Sequence, residues 1–346
     1  MWKPKLVLGL VLLLAAGSAV VGVTCLVNGG RMVRPAGAAT TDQAADSALP
    51  HPPPATVPAN PKILTILTAN IRLPSPEDDL DAWSKRRELL VRTLLAQDAD
   101  ILGLQEASPA QTAYLLPNLK GYELANRQET PDRPGTPGLA GTLTDMVGTL
   151  NQVYYRTGRL KLVAAHGGPL RPEAPQDPVT ENTFYTLAVL QDRQGVFPDT
   201  IVVDTHLRHG EKNAVVCAQK IHAIIAAEMD RRPGAAVVVM GDMNHDRTSP
   251  IYPALLAAKS TTELHDAFDY TVRPRGERWG TYQAFEGKPA GEWPVDLILA
   301  SPNLAAAPAR IVRDKDAVTG RYPSDHFFVR TTVQMTLPTT APGTRP

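Results

Sequence analysis

Two features of the sequence predict a mixed α/β fold. Six short segments rich in β-branched or aliphatic residues, "ILTILTA", "ILGLQ", "IVVDT", "VVVMG", "VDLILAS" and "FFVRTTV", read as strands. Two stretches of helical periodicity lie among the first four, and strands alternating with helices are the signature of α/β layering. With 346 residues, 43% of them hydrophobic, the chain has ample material for a large core.

Taken in order, residues 1–5 form a short basic n-region with Lys3 and Lys5. Residues 6–27 contain no charged residue and match the ~20 residues that a bilayer-crossing helix needs. That run exceeds the ~7–15-residue apolar core of a cleaved signal peptide, which favours a signal anchor; Ala36, Gly37 and Ala38 keep the cleaved alternative open. Either reading sends the remainder out of the cytoplasm, held at the membrane or secreted. Residues 28–60, rich in Ala, Thr and Pro without apolar periodicity, read as a spacer. Residues 61–337 read as the folded domain and 338–346 as a disordered tail.

Within that domain, "ILTILTA" leads to Asn70. A helix is expected over 83–97, with Leu90, Leu94 and Leu95 apolar and Lys85, Arg86, Arg87, Glu88 and Arg92 charged. "ILGLQ" leads to Glu106, and "IVVDT" to His206. A second helix follows from Ala214, Cys217, Ala218, Ile221, Ile224 and Ile225. "VVVMG" leads to Asp242 and Asn244, Asp296 opens "DLILAS", and Asp325 with His326 precedes "FFVRTTV". Polar groups therefore follow the first four strands and precede the last two. If the last two run antiparallel to the others, all these groups meet at one edge.

Charge and cysteine content narrow the classes. The chain carries 35 basic and 35 acidic residues; four basic and two acidic ones lie in the first sixty positions, leaving 31 against 33. No basic excess points to nonspecific nucleic-acid binding. Cys25 lies in the apolar run, so Cys217 has no partner for a disulfide within the domain and is expected to be inert core.

The segments "TANIR", "ADILGLQE", "VYYR", "VVDTHLRH", "VVVMGDMN", "GTYQAFEG", "VDLILAS" and "GRYPSDHFFV" occur in that order over residues 62–335. In this the chain resembles the endonuclease/exonuclease/phosphatase superfamily of DNase I-like proteins. The resemblance implies a four-layer sandwich, two packed mixed β-sheets flanked by helices, and a phosphoesterase dependent on Mg²⁺ or Mn²⁺. It implies a metal site at Glu106 and Asn70 with Asp325 nearby, and phosphate contacts from His206 and Asn244. It further implies that Asp242 orients or activates water, that Asp296 and His326 form a pair, and that Tyr154 or Tyr155 contacts the scissile phosphate. Asn70 would supply either a neutral oxygen or a hydrogen bond. Arg208 and Pro74 stand where many relatives have Asp.

Singly, each residue has an ordinary reading: a turn former, a solvated carboxylate, a half-buried histidine. Jointly, at six strand ends, they read as a site. His209, His245 and Asp246 are expected to be accessory or solvated, and Trp83 and Trp293 to be packing residues. The expected substrate is a phosphate ester, with nucleic acid or another phosphodiester first and an inositol phosphate or lipid head group as the alternative. A silent surface-binding relative is the contrasting class, which the retained site residues oppose. The membrane is the expected partner through the first helix, and the domain is expected to be a monomer.

Overall fold

A computed structural model describes residues 60, 62–125, 150–170, 183–208, 211–273 and 276–336. The membrane-helix, spacer and tail expectations lie outside these residues. Among the described residues no helix is long and apolar enough to cross a membrane.

The expected strands form. They are β1 (Leu64–Asn70), β2 (Ile101–Gln105), β7 (Thr200–His206), β8 (Ala236–Asp242), β10 (Asp296–Ala300) and β13 (Phe328–Met335). Shorter or more irregular strands surround them: β3 (Tyr122–Leu124), β4 (Gln152–Arg156), β5 (Leu160–Pro169), β6 (Phe184–Asp192), β9 (His265–Asp266), β11 (Leu304–Ala306) and β12 (Arg310–Val312). The first sheet has the order β11-β13-β1-β2-β4-β3, with β12 also on β13; the second has the order β5-β6-β7-β8-β10-β9. In each, a parallel central pair, β1 with β2 or β7 with β8, is bordered by an antiparallel strand, β13 or β10. That arrangement brings the beginnings of β10 and β13 to the same edge as the ends of β1, β2, β7 and β8.

Period-two alternation decides what each strand face buries. Leu64, Ile66 and Ile101 face the second sheet in one core. Leu67, Ala69, Leu102 and Leu104 face α1 (Trp83–Ala96) and α2 (Pro109–Asn118), whose Leu90, Leu94 and Leu115 complete a second core. On the other side, α3 (Glu211–Arg231) lays Ala214, Cys217, Ala218, Ile221 and Ile225 against the second sheet, with α4 (Tyr252–Leu256) beside it. The result is the expected layered pair of mixed sheets flanked by helices. Between the sheets the fit at Gly103 is tight: a Cβ there would lie 2.7 Å from both Asp204 Oδ1 and Met240 Cε, so a larger residue would have to displace one of them.

Candidate active site

The site begins with what ends the strands. Gly241 has φ 144°, and a Cβ there would fall 1.8 Å from the Thr205 carbonyl oxygen, so the glycine allows β8 to stay paired with β7 up to its last residue. Asp242 then pairs with His206 on one side and Asp296 on the other. Glu106 and Asn244 adopt left-handed backbone conformations, φ 60° and 52°, turning the chain sharply at the mouth. The residues converge on one cleft of about 800 Å³ whose walls include Glu106, His206, Asp242, Asn244, Asp325 and His326.

Asp242 is the hub. Its Oδ2 lies 3.0 Å from Asn70 Nδ2, 3.4 Å from His206 Nε2 and 3.7 Å from His326 Nε2, and its Oδ1 accepts the Asn244 backbone N–H at 2.9 Å. Burial alone would raise its pKa, but the two imidazoles and the Asn70 amide outweigh that and hold it below the usual carboxylate range. His326 Nδ1 lies 2.9 Å from Asp296 Oδ2. Burial works against its proton, yet Asp296 and Asp242 prevail and push its pKa up to about 10. Asp296 is positioned in turn: its backbone N–H and that of Val295 donate to Thr281 Oγ1, each at 3.1 Å.

Asn70 is fully buried and donates to Glu106 Oε1 and Asp242 Oδ2, both at 3.0 Å, while its Oδ1 accepts the Arg72 N–H at 2.9 Å. Reversing the carboxamide would set its oxygen against two carboxylates, so of the two expected roles the hydrogen bond is the one present, and Asn70 offers no oxygen toward Glu106. Glu106 Oε2 accepts the Leu73 N–H at 2.8 Å. Asn244 Nδ2 lies 2.8 Å from His206 Nε2 and donates to the Leu207 carbonyl at 2.7 Å.

Two acidic groupings could attract a cation. Asp242, Asp296 and His326 each offer a ligand atom within 4.8 Å of the others. Within that trio His326 Nδ1 hydrogen-bonds Asp296 Oδ2 at 2.9 Å while its Nε2 lies 3.7 Å from Asp242 Oδ2, so the histidine bridges two buried carboxylates. Glu106 and Asp325 are the second grouping. Burial chiefly, with the nearby Glu106 charge assisting and His326 opposing, raises the Asp325 carboxyl. Both line the cleft, near enough for the Glu106 charge to raise Asp325, and together they offer the hard oxygen donors that a divalent cation takes. The residues present therefore fit Mg²⁺ or Mn²⁺.

Two expectations are corrected. Tyr154 and Tyr155 are buried away from the cleft, bonding Gln152 and Glu123 respectively. The reason is register: β4 runs antiparallel to β2, so Tyr155 pairs with Ile101 at the far end and Asn151, just before β4, reaches the cleft instead. Trp293 lines the cleft rather than the core, with the Arg247 and Arg273 guanidinium carbons 4.8 and 4.5 Å from its ring centre. Trp83 does pack, edge-on to Tyr114, and Cys217 is buried. His245 bonds Ser249 and the Arg208 carbonyl, and Asp246 caps Thr248; His209 lies outside the described residues. Thr281, Tyr282 and Arg86 went unnoticed in the sequence. "GTYQ" carried the signal for the first two; Arg86 had none, since it sits among charged neighbours.

A two-sheet sandwich with a carboxylate hub, a buried Asp–His pair and an oxygen donor set at one edge defines a metal-dependent phosphoester hydrolase. The chain belongs to the Endonuclease/Exonuclease/phosphatase family, whose model matches residues 67–326. Its members are divalent-metal-dependent phosphoester hydrolases, and this chain is an enzyme of that class. No curated protein sequence matches it. Among solved structures it is similar to a mannosyl-6-phosphatase of Bacteroides thetaiotaomicron (22% identity, TM-score 0.62, 78% of this chain and 99% of that one). It is also similar to the human Nocturnin catalytic domain with bound sulfate (20%, 0.57, 81% and 96%). A third is D. rerio TDP2 complexed with single strand DNA product (17%, 0.56, 79% and 99%). These likenesses show the fold.

Proposed function

We propose that the chain is an extracytoplasmic phosphodiesterase that cleaves its substrate in this cleft with Mg²⁺ or Mn²⁺ held by Glu106 and Asp325. The observation that carries the reading is the Asp242 carboxylate, buried, held ionised and within 3.7 Å of Asn70, His206 and His326 at once. An ionised carboxylate fixed in this way accepts a hydrogen from the attacking water and aims its lone pair. His326, carrying a proton on Nε2, donates to a nonbridging phosphoryl oxygen, and Asp296 holds its ring in that orientation. Asn244 and His206 line the same cleft, with the Asn244 amide holding the His206 ring beside Asp242. The bound cation supplies Lewis-acid neutralisation of phosphoryl charge. The exposed ring of Tyr282 and the cleft-lining Trp293 add aromatic surface to the cleft, which suits a substrate carrying a ring beside its phosphate.

Placement outside the cytoplasm rests on residues 1–27, whose basic n-region and uncharged run have the pattern of a signal anchor or signal peptide.

Arg208 favours a second reading, a phosphatase acting on monoesters such as inositol phosphates. It is exposed, lines the cleft and has no side-chain partner among the described residues, so it offers an extra cation to a dianionic phosphate. Turnover of bis(p-nitrophenyl) phosphate against p-nitrophenyl phosphate, with Mg²⁺ or Mn²⁺ and after chelation, decides between the two. A diester preference abolished by chelation and restored by added metal is expected. A monoester preference that reverses in Arg208→Gln establishes the phosphatase reading instead, and hydrolysis indifferent to chelation overturns both.

A further inference from the structure

Arg86 is a charged residue on α1 that is 1% exposed, and among the described residues no carboxylate hydrogen-bonds it. Its guanidinium spends its hydrogen bonds on backbone carbonyls: Nε on Asp81 at 2.9 Å, Nη1 on Ile71 at 2.6 Å and Pro323 at 3.0 Å, and Nη2 on Arg72 at 2.7 Å. The rings of Trp83 and Phe285 lie 5.4 and 5.7 Å from its central carbon. Burial outweighs the surrounding acids and lowers its pKa to about 10, so it remains charged at neutral pH. Burying a cation without a carboxylate in contact is costly, and the cost is borne where two particular segments meet.

Those segments carry the site. Ile71 and Arg72 directly follow Asn70, which holds Glu106 and Asp242; Pro323 lies two residues before Asp325 and three before His326. Arg72 sits in the left-handed region at φ 58°, with its carbonyl also accepting Gln111 Nε2 at 2.8 Å. A second tie joins the same segments, Ser324 Oγ donating to the Asn70 carbonyl at 2.6 Å.

We propose that Arg86 is a positioning residue for the active site. One planar fork locks the segment after β1 to the segment before β13, and so sets the distance between Glu106 and the Asp325–His326 pair. Lysine cannot replace it, because an ammonium lacks a fork able to span carbonyls on both segments. The inference rests on the phosphoesterase reading of the cleft for its turnover arm, and on the chain alone for its metal-binding arm.

The test compares Arg86→Lys with Leu94→Ala, a core truncation on the same helix that removes none of the hydrogen bonds to the two segments. Thermal melting, kcat and KM, and Mn²⁺ binding by calorimetry are measured on the full chain. Both variants are expected to lose stability. Arg86→Lys alone is expected to lose about 10²-fold in kcat with KM nearly unchanged, and about tenfold in Mn²⁺ affinity. If Arg86→Lys does not fold, Gln111→Leu, which removes the other side-chain tie on the Arg72 carbonyl, is expected to weaken Mn²⁺ binding in the same direction. Wild-type kcat and Mn²⁺ affinity in folded Arg86→Lys overturn the proposal. So do equal losses in Leu94→Ala, or an unchanged Mn²⁺ affinity in Gln111→Leu. A wild-type chain that binds Mn²⁺ but hydrolyses no phosphate ester refutes the functional reading and leaves the metal-binding comparison to decide on Arg86.

Discussion

The behaviour of His326 follows from its two flanking carboxylates. With its pKa raised from the ordinary 6.5 to about 10, it is an imidazolium throughout the neutral range. The linkage has a definite sign. Its contribution to stability is complete below about pH 6.5 and is lost as pH rises through about 10. Turnover that depends on this proton should therefore persist through mild alkali and fall near pH 10. Asp296→Asn keeps the shape of the pair but removes the charge, so the alkaline limb should move to lower pH and kcat should fall by about 10²–10⁴-fold. His326→Ala should cost a similar amount, and the double variant little more than the worse single one, because the two act as a unit. Additive losses would show that the residues work independently.

At the scale of strands, the site was legible to the extent that period-two alternation exposes it. Asn70, Glu106, His206, Asp242, Asp296 and His326 each interrupt or border an apolar run, and their convergence needed only the antiparallel placement of β10 and β13. What the sequence concealed depends on register and long-range burial. Nothing local says that β4 presents Asn151 rather than Tyr155, or that Arg86 meets Pro323, 237 positions away. Asp204 was equally hidden. It reads as a polar interruption of β7, yet it is fully buried between the sheets, where its Oδ1 accepts Gln105 Nε2 at 2.6 Å. Burial, opposed by that hydrogen bond, holds its carboxyl protonated well above the usual range. The folded chain thus keeps a proton that the unfolded chain releases above pH 3.8, and this contribution to stability fades as pH rises. Asp204→Asn, which resembles the neutral acid, should be less sensitive to alkali than the wild type in urea unfolding at pH 6 and pH 9. An unchanged pH slope would mean that the Asp204 carboxyl is ionised in the fold.

For the whole molecule, the folded domain and the amino-terminal run make separate claims. The family and the paired sheets stand on the folded domain. Placement outside the cytoplasm stands on residues 1–27 and predicts that protease added to intact cells or spheroplasts digests the catalytic domain, whereas full protection would refute it. On the proposed function, one buried carboxylate hub and one cation site, built on strands of both sheets, perform phosphoester hydrolysis together. Glu106 joins the two, accepting the same Asn70 amide that steadies Asp242. The most direct measurement is a Mn²⁺ titration of wild type and Glu106→Ala, following heat of binding and diester turnover on the same samples. The folded variant is expected to lose both the binding event and metal-dependent turnover. Wild-type binding with undiminished turnover at limiting metal would contradict it.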